Sequence, residues 1–535
     1  MSAKDDATWW ETAVVYQVYP RSFQDTVGDG VGDLPGIERR LDHLVDLGVD
    51  AVWISPIFPS PMADFGYDVA DYCAIDPRFG TMADFDRLLA SAHEKGLKLI
   101  LDFVPNHSSA EHPWFKESRS SRENPKRDWY IWRDPAPGGG PPNNWMSDFG
   151  GSSWEWDEPT GQFYLHAFLP EQPDLNWRNP GLRAAMLDAL RFWFDKGVDG
   201  FRVDVLWHVI KDAQFRDNPP KPNHVARMGE LFDQEQRWNT GQPEAHAVAA
   251  EMRAVADSYP GDRVLIGEIY LPVAELTPWY GAPDRPEVIP FNFGLINAAW
   301  DTPTLHKLIA DYLAALPPGA TPTWVLGNHD RPRIASRVGE AQAKVAAMLL
   351  LTLGGSPTIY YGDEIGLADV DIPPERRRDP AELRNPGLGV GRDPVRTPMP
   401  WDASPNAGFT DGEPWLPLNA DRATRNVTAQ DGAGGSSLEL HRALLRLRHA
   451  HPALSGGAVE LLPLHPQVLA YAKRDGDDHV LVALNLSGQP ATFDPPAWAE
   501  GLPVRLSTRE GEPRREGATL HLRGDEGVVL ASASL

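Results

Sequence analysis

The chain has 535 residues, more than one compact domain holds, and its 42% hydrophobic content is that of a globular protein with a sizeable core. A formal net charge of −25 argues against nucleic acid, acidic sugars and anionic membranes as partners, and for a neutral substrate. One cysteine, Cys73, rules out an intrachain disulfide. The opening MSAKDDATWWE lacks the basic and apolar regions of a signal peptide, and the longest apolar run, 345–353, is about half a membrane span, so a cytoplasmic protein is expected.

In chain order, 13–20 predicts a strand. Residues 34–48 predict a helix, with Ile37, Leu41, Leu44, Val45 and Leu47 largely on one face and Gly48 as its stop. A strand at 51–57, a helix at 84–95 stopped by Gly96, and a strand at 98–104 follow. The strand signal returns at 200–205, 264–269, 323–326 and 358–361, with a weaker candidate at 288–293. Near-continuous apolar strands alternating with amphipathic helices imply a parallel sheet, and eight of them imply a closed barrel. The predicted fold is therefore α/β: a (β/α)₈ barrel over 1–106 and 174–458, with a loop-rich insertion after the third strand at 107–173. A C-terminal antiparallel β-sandwich domain at 459–535 is expected from short alternating strands at 468–473, 479–486, 504–507 and 527–531, joined to the barrel by a helix at 438–448. Trp145, Trp154 and Trp156 fall in polar stretches, where aromatic faces either stack on sugar rings or pin loops to the body.

Barrel enzymes carry their chemistry at the C-terminal ends of the strands. Here the third strand ends in DFVPNH (102–107), the fourth in GFRVD (200–204), the fifth in GEIY (267–270) and the seventh in GNHD (327–330). Four strand ends with carboxylates or imidazoles on one barrel face are more than a structural network requires. Arg202 lies two residues before Asp204, so both point to the same side of the strand and Arg202 is expected to hold Asp204 ionised. No His/Cys cluster has zinc spacing, and no cofactor for the chemistry is expected.

These motifs resemble the α-amylase family of glycoside hydrolases over essentially the whole chain. VVYQVYPRSF (14–23), DFGYDVADY (64–72), QPDLNW (172–177) and GRDPVRTPMPWD (391–402) look like its oligo-1,6-glucosidase and α-glucosidase branch. The resemblance implies Asp204 as nucleophile, Glu268 as general acid/base and Asp330 as the third carboxylate, gripping the sugar 2- and 3-hydroxyls. Two carboxyls about 5 Å apart give retention through a covalent glucosyl-enzyme. It further implies a sugar pocket of Asp64, Tyr67, His107, Phe168, Arg202, Val205, His329 and Arg392, with Asp64 and Arg392 closing the non-reducing end. The expected partners are short neutral α-gluco-oligosaccharides, with the protein a monomer or homodimer.

Two cues refine the resemblance. Val205 after the nucleophile accompanies α-1,6 activity in this branch; a methyl-scale difference is worth only about 1–3 kcal/mol, so the expectation extends from isomaltose to maltose, sucrose or trehalose. The stretch 207–223, with KDAQFRDNPPKPN, departs from the common branch pattern and borders the leaving-group side. The loop Asp25-Thr-Val27-Gly-Asp29-Gly30-Val31-Gly-Asp33 is similar to the first half of a calcium loop, implying a structural Ca²⁺ or Mg²⁺ on Asp25, Asp29, Val31 and Asp33; relatives carry Asn where this chain has Val27. The alternatives are a transglucosylase or sucrose isomerase on the same glucosyl-enzyme and, outside enzymes, a non-catalytic amylase-like binding module.

Overall fold

A computed structural model describes residues 8–225, 231, 233–282 and 285–532. Eight parallel strands form one sheet: β1 Val15–Val18, β2 Ala51–Ile54, β3 Lys98–Phe103, β4 Gly200–Val203, β5 Val264–Gly267, β6 Ile289–Pro290, β7 Thr323–Val325 and β8 Ser356–Tyr360. Their order is β6-β5-β4-β3-β2-β1-β8-β7, the cyclic order of a (β/α)₈ barrel. The strands are shorter than their apolar runs, because the runs continue into the loops that carry the site. The weak sixth strand is two residues long: Pro290 has no N–H for a ladder. Thr323 closes the barrel there instead. Its hydroxyl donates to the Pro290 carbonyl at 2.7 Å and accepts from the Asn292 N–H at 3.0 Å.

Gly200 explains why the fourth strand begins as it does. A Cβ there would lie 2.3 Å from Cγ1 of Val264, so only glycine lets β4 and β5 start side by side. The helix expected at 34–48 is two, Leu34–Arg39 and Leu41–Leu47. Asp33 caps the first by accepting from the Gly36 N–H at 2.7 Å, and Gly48 ends the second in the left-handed region. Between them Arg40 leaves helical geometry, with its guanidinium 4.1 Å over the Trp401 ring and its Nε donating to Gln24 Oε1 at 2.7 Å. These non-local contacts outweigh the local helical pattern.

The excursion after β3 holds the helix Pro113–Ser120 and a small antiparallel sheet of Trp132–Arg133, Trp154–Asp157 and Gln162–Leu165. Trp145 and Trp154 are buried in a cluster with Ile131, Phe163 and Leu165, and Trp145 donates to the Arg216 carbonyl at 2.8 Å. Those two indoles pin the excursion to the segment after β4, so the loop-pinning alternative holds for them; Trp156 is exposed. At the C-terminal end, a five-stranded and a three-stranded antiparallel sheet pack around Leu481, Phe493, Leu520 and Leu530. No helix among the described residues is long and apolar enough to cross a membrane.

Candidate active site

A cavity of about 640 Å³ opens at the C-terminal ends of the barrel strands. Asp64, Tyr67, His107, Phe168, Asp204, Val205, Glu268, His329, Asp330 and Arg392 all line it. Arg202 does not: it is 1% exposed and lies beneath the carboxyls. It acts on them and not on a ligand directly, which corrects its expected place among the binding residues.

Arg202 is the hub of the floor. Its Nη1 donates to Asp204 Oδ1 at 2.6 Å and to Asp102 Oδ1 at 2.9 Å, and its Nη2 lies 2.7 Å from Glu268 Oε2. One guanidinium thus serves three buried carboxyls. Burial pushes Glu268 up, with Arg202 pulling it down and Asp330 adding to the rise. Asp204 is raised well above the usual carboxylate range, first by burial and then by Glu268 and Asp102, against the pull of Arg202. Arg202 draws Asp204 towards ionisation, as expected, but the same guanidinium is shared with two further buried carboxyls. A single positive charge is outnumbered, so the Asp204–Glu268 pair takes up a proton more readily than an isolated carboxylate. Retaining chemistry needs one proton in that pair.

Val205 has φ of 35°, a strained setting for a β-branched residue. The twist turns its N–H onto Glu268 Oε2 at 2.9 Å, while its side chain lines the cavity. The backbone that carries the nucleophile thus also fixes the acid/base.

The far end of the cavity is an ion-pair cluster. Arg392 Nη2 donates to Asp64 Oδ1 at 2.7 Å, and Nη1 donates to Asp330 Oδ1 at 3.2 Å. Arg396 donates to the same Asp330 oxygen at 2.8 Å. Burial would raise Asp330, but the Nε2–H of His329 and the charges of Arg396 and Arg392 outweigh it and hold the carboxyl well below its usual range. Asp330 is a fixed anion, unlike the proton-sharing pair beside it.

Two imidazoles are held neutral by burial: His107 is lowered to about 3, and His329 well below its ordinary value. With Gln17 donating to His329 Nδ1 at 2.8 Å, the ring carries its proton on Nε2, 2.7 Å from the Tyr67 hydroxyl and facing Asp330 at 3.3 Å. Tyr67 stacks on that ring at 5.4 Å and donates to Asp102 Oδ2 at 3.2 Å. Gln172 links Asp64 to His107, at 3.2 and 3.1 Å, and Phe168 leans on His107 with centroids 5.0 Å apart.

Residues 17–457 match the family described as "Alpha amylase, catalytic domain", and 459–524 match "Maltogenic Amylase, C-terminal domain". The chain belongs to the α-amylase family. It is a glycoside hydrolase. It is 41% identical over 506 residues to a probable α-glucosidase of Rhizobium meliloti (strain 1021), covering 92% of each chain. It is also 41% identical over 530 residues to an oligo-1,6-glucosidase of Heyndrickxia coagulans, covering 91% of this chain and 94% of the relative. The crystal structure of an α-glucosyl transfer enzyme superposes with a TM-score of 0.93 at 42% identity, covering 99% of this chain and 100% of the other.

Several contributors to this α-amylase-family site lie outside the residues its motifs single out. Asp379, in the charged stretch before GRD, pairs with Arg392 at 2.7 Å and accepts from its backbone N–H at 2.5 Å, so it aims the guanidinium at Asp64 and Asp330. Lys211 is fully buried between Asp174, at 2.7 Å, and Asn106, at 2.5 Å, under the wall carrying His107. Asp102 sits inside the DFVPNH motif, but its partnership with Arg202 depends on the pairing of β3 with β4. The signal for Asp379 was local charge alone, with nothing in the spacing to select it from its neighbours.

The loop 25–33 does not fit a metal. Asp25 accepts from the N–H groups of Val27, Gly28 and Gly30 at 2.8–2.9 Å and from the Thr410 hydroxyl at 2.5 Å. Asp33 accepts from the N–H and hydroxyl of Thr26 as well as capping its helix, and Asp29 accepts from the Val31 N–H at 2.9 Å. Among the described residues no group of three or more His, Cys, Asp or Glu could hold an ion. The expected ligand set of Asp25, Asp29, Val31 and Asp33 therefore does not converge; these carboxylates organise the turn.

Proposed function

We propose that this chain is a retaining, exo-acting α-glucosidase that removes terminal non-reducing α-glucosyl residues from short neutral oligosaccharides, with isomaltose-type linkages preferred. The observation that carries the reading is a floor on which Asp204 and Glu268 share the Arg202 guanidinium, in a cavity shut at one end by the Asp64–Arg392 ion pair. A terminal glucose seated against Asp64, Arg392 and Asp330 places its anomeric carbon over Asp204. The ionised Asp204 oxygen attacks that carbon as Glu268 gives its proton to the leaving oxygen. Glu268, now ionised, takes a proton from the water that opens the glucosyl-enzyme, and two inversions return the α-anomer. His107 and His329 are neutral, so they hydrogen-bond hydroxyls without adding charge beside the oxocarbenium-like transition state.

The test is NMR of anomeric protons in an equimolar mixture of isomaltose and maltose. α-Glucose appearing first, with isomaltose consumed faster, supports retention and the α-1,6 reading of Val205. β-Glucose first overturns the retaining mechanism, and no glucose overturns hydrolysis. Asp204→Asn is expected to abolish turnover while leaving the melting temperature in place.

A second reading, transfer of the glucosyl group to another sugar, is favoured by the similarity to an enzyme described as carrying out α-glucosyl transfer. It uses the same intermediate and replaces water with a hydroxyl of an acceptor; products longer than the substrate would identify it. We also infer a division into barrel (1–106 and 174–458), insertion (107–173) and C-terminal domain (459–535), a cytoplasmic monomer or homodimer, and a 25–33 loop held by its own hydrogen bonds and not by a cation.

A further inference from the structure

The cavity is also lined by a second group of side chains, from the excursion and from the segment after β4. Asp148 is the acidic one among them whose position is most firmly built. Its backbone N–H donates to the Ala167 carbonyl at 2.8 Å. On either side, Ser147 donates to the Phe168 carbonyl at 2.5 Å and accepts from the Phe149 N–H at 3.0 Å. The Asp148 Oδ1 accepts from Gln236 Nε2 at 2.8 Å, across the junction of the two segments. Its Oδ2 has no hydrogen bond among the described residues; the nearest cationic-type atom is Nε2 of the neutral, buried His208, 3.9 Å away. A quarter of the side chain, 24%, is exposed, and the residue lines the cavity with Gln236, Thr240 and Trp207.

The glucose end is taken by Asp64, Arg392 and Asp330, whereas Asp148 is hydrogen-bonded to Gln236 and shares the cavity wall with Trp207 and Thr240, from the segment that follows Val205. Glu268 is close enough to add to the upward shift that burial imposes on the Asp148 carboxyl.

Resting on the glucosidase reading above, we infer that Asp148, positioned by Gln236, is a specificity-determining residue for the leaving sugar: its open carboxylate oxygen accepts hydroxyls of a neutral aglycone and repels anionic ones. A polar group fixed to receive hydroxyls discriminates strongly against a partner that lacks them, because the site is then left unpaired. A carboxylate adds a repulsive element against phosphate or carboxylate on that sugar.

The experiment compares kcat/KM on isomaltose or maltose with kcat/KM on p-nitrophenyl α-glucoside, whose aglycone has no hydroxyls to offer. For Asp148→Ala the sugar-to-aryl ratio is expected to fall at least about 10-fold. For the isosteric Asp148→Asn, discrimination between a neutral disaccharide and one phosphorylated on its reducing sugar is expected to narrow at least about 5-fold. Equal losses on sugar and aryl substrates in Asp148→Ala, or unaltered discrimination in Asp148→Asn, overturn the inference. A wild-type protein that cleaves neither sugar nor aryl glucoside would instead fail the glucosidase reading itself.

Discussion

Nη2 of Arg202 lies 2.7 Å from Oε2 of Glu268, so the residue expected two positions before the nucleophile touches the acid/base as well. The proton that the reaction passes back and forth therefore sits on a pair whose affinity is set by one guanidinium among three carboxyls. The pH dependence follows. Activity needs one proton in the pair: it falls at low pH when Asp204 is also protonated and at high pH when Glu268 loses its proton. Both limbs should lie above the ordinary carboxylate range, since burial raises both groups. In Arg202→Gln the positive charge that favours ionisation is removed, so both limbs of the kcat/KM profile should move to higher pH as the maximum drops. Limbs that stay in place or move down would remove Arg202 from control of the pair.

Arg392 connects the other end. It holds Asp64 and Asp330 on one side and is itself held by Asp379. A lysine keeps the charge but not the planar fork that reaches all three. Arg392→Lys is expected to lower kcat/KM about 10- to 100-fold, as charge-assisted contacts to the terminal glucose lose their geometry. Asp379→Asn should reproduce part of that loss without touching substrate. Wild-type kinetics in both variants would mean that this cluster does not close the glucose site.

The 25–33 loop makes a prediction opposite to its sequence pattern. With Asp25 and Asp33 engaged by backbone N–H groups and hydroxyls, chelator should leave the melting temperature within about 1 °C of the untreated protein. Asp25→Ala should destabilise the protein with or without chelator, because four donors lose their acceptor. A fall of several degrees in chelator, reversed by Ca²⁺ or Mg²⁺, would restore the cation.

What could be read in advance, and what could not, divides along a physical line. Asp204, Glu268, Asp330 and His107 were legible because each ends a strand, and a parallel barrel delivers all its strand ends to one face. Asp64 and Arg392 were legible only through motif resemblance, since they sit in loops. Asp379, Asp148 and Lys211 were not legible. Each owes its role to a contact made by irregular chain, across 13 residues for Asp379 with Arg392 and 88 for Asp148 with Gln236, where no periodicity constrains which side chains meet. The loop at 25–33 was ambiguous for the same reason. Alternating Asp residues serve a cation or a hydrogen-bonded turn equally well, and the return contact from Thr410 lies 385 residues away. The barrel itself was clear except at β6 and the helix break at Arg40, both decided by tertiary contacts.

The junction of the barrel with the C-terminal β domain carries a last consequence. Lys473 is 1% exposed, and its ammonium donates to the carbonyls of Leu353, at 3.1 Å, and Gly457. Burial, aided by the nearby Arg448, lowers its pKa to about 7, against about 10.4 in an unfolded chain. Between those values the unfolded state binds a proton that the folded state does not. Stability from this group therefore rises as pH increases from about 7 towards 10, and is lost as pH falls back through the same window. The slope approaches about 1.4 kcal/mol per pH unit if no other group compensates. Lys473→Met keeps the chain length and removes the titration. Urea unfolding of both proteins at pH 7, 8 and 9 should show the wild type gaining stability relative to the variant at each step. Parallel curves would mean that Lys473 stays charged in the folded protein, held by its two carbonyls against the cost of burial.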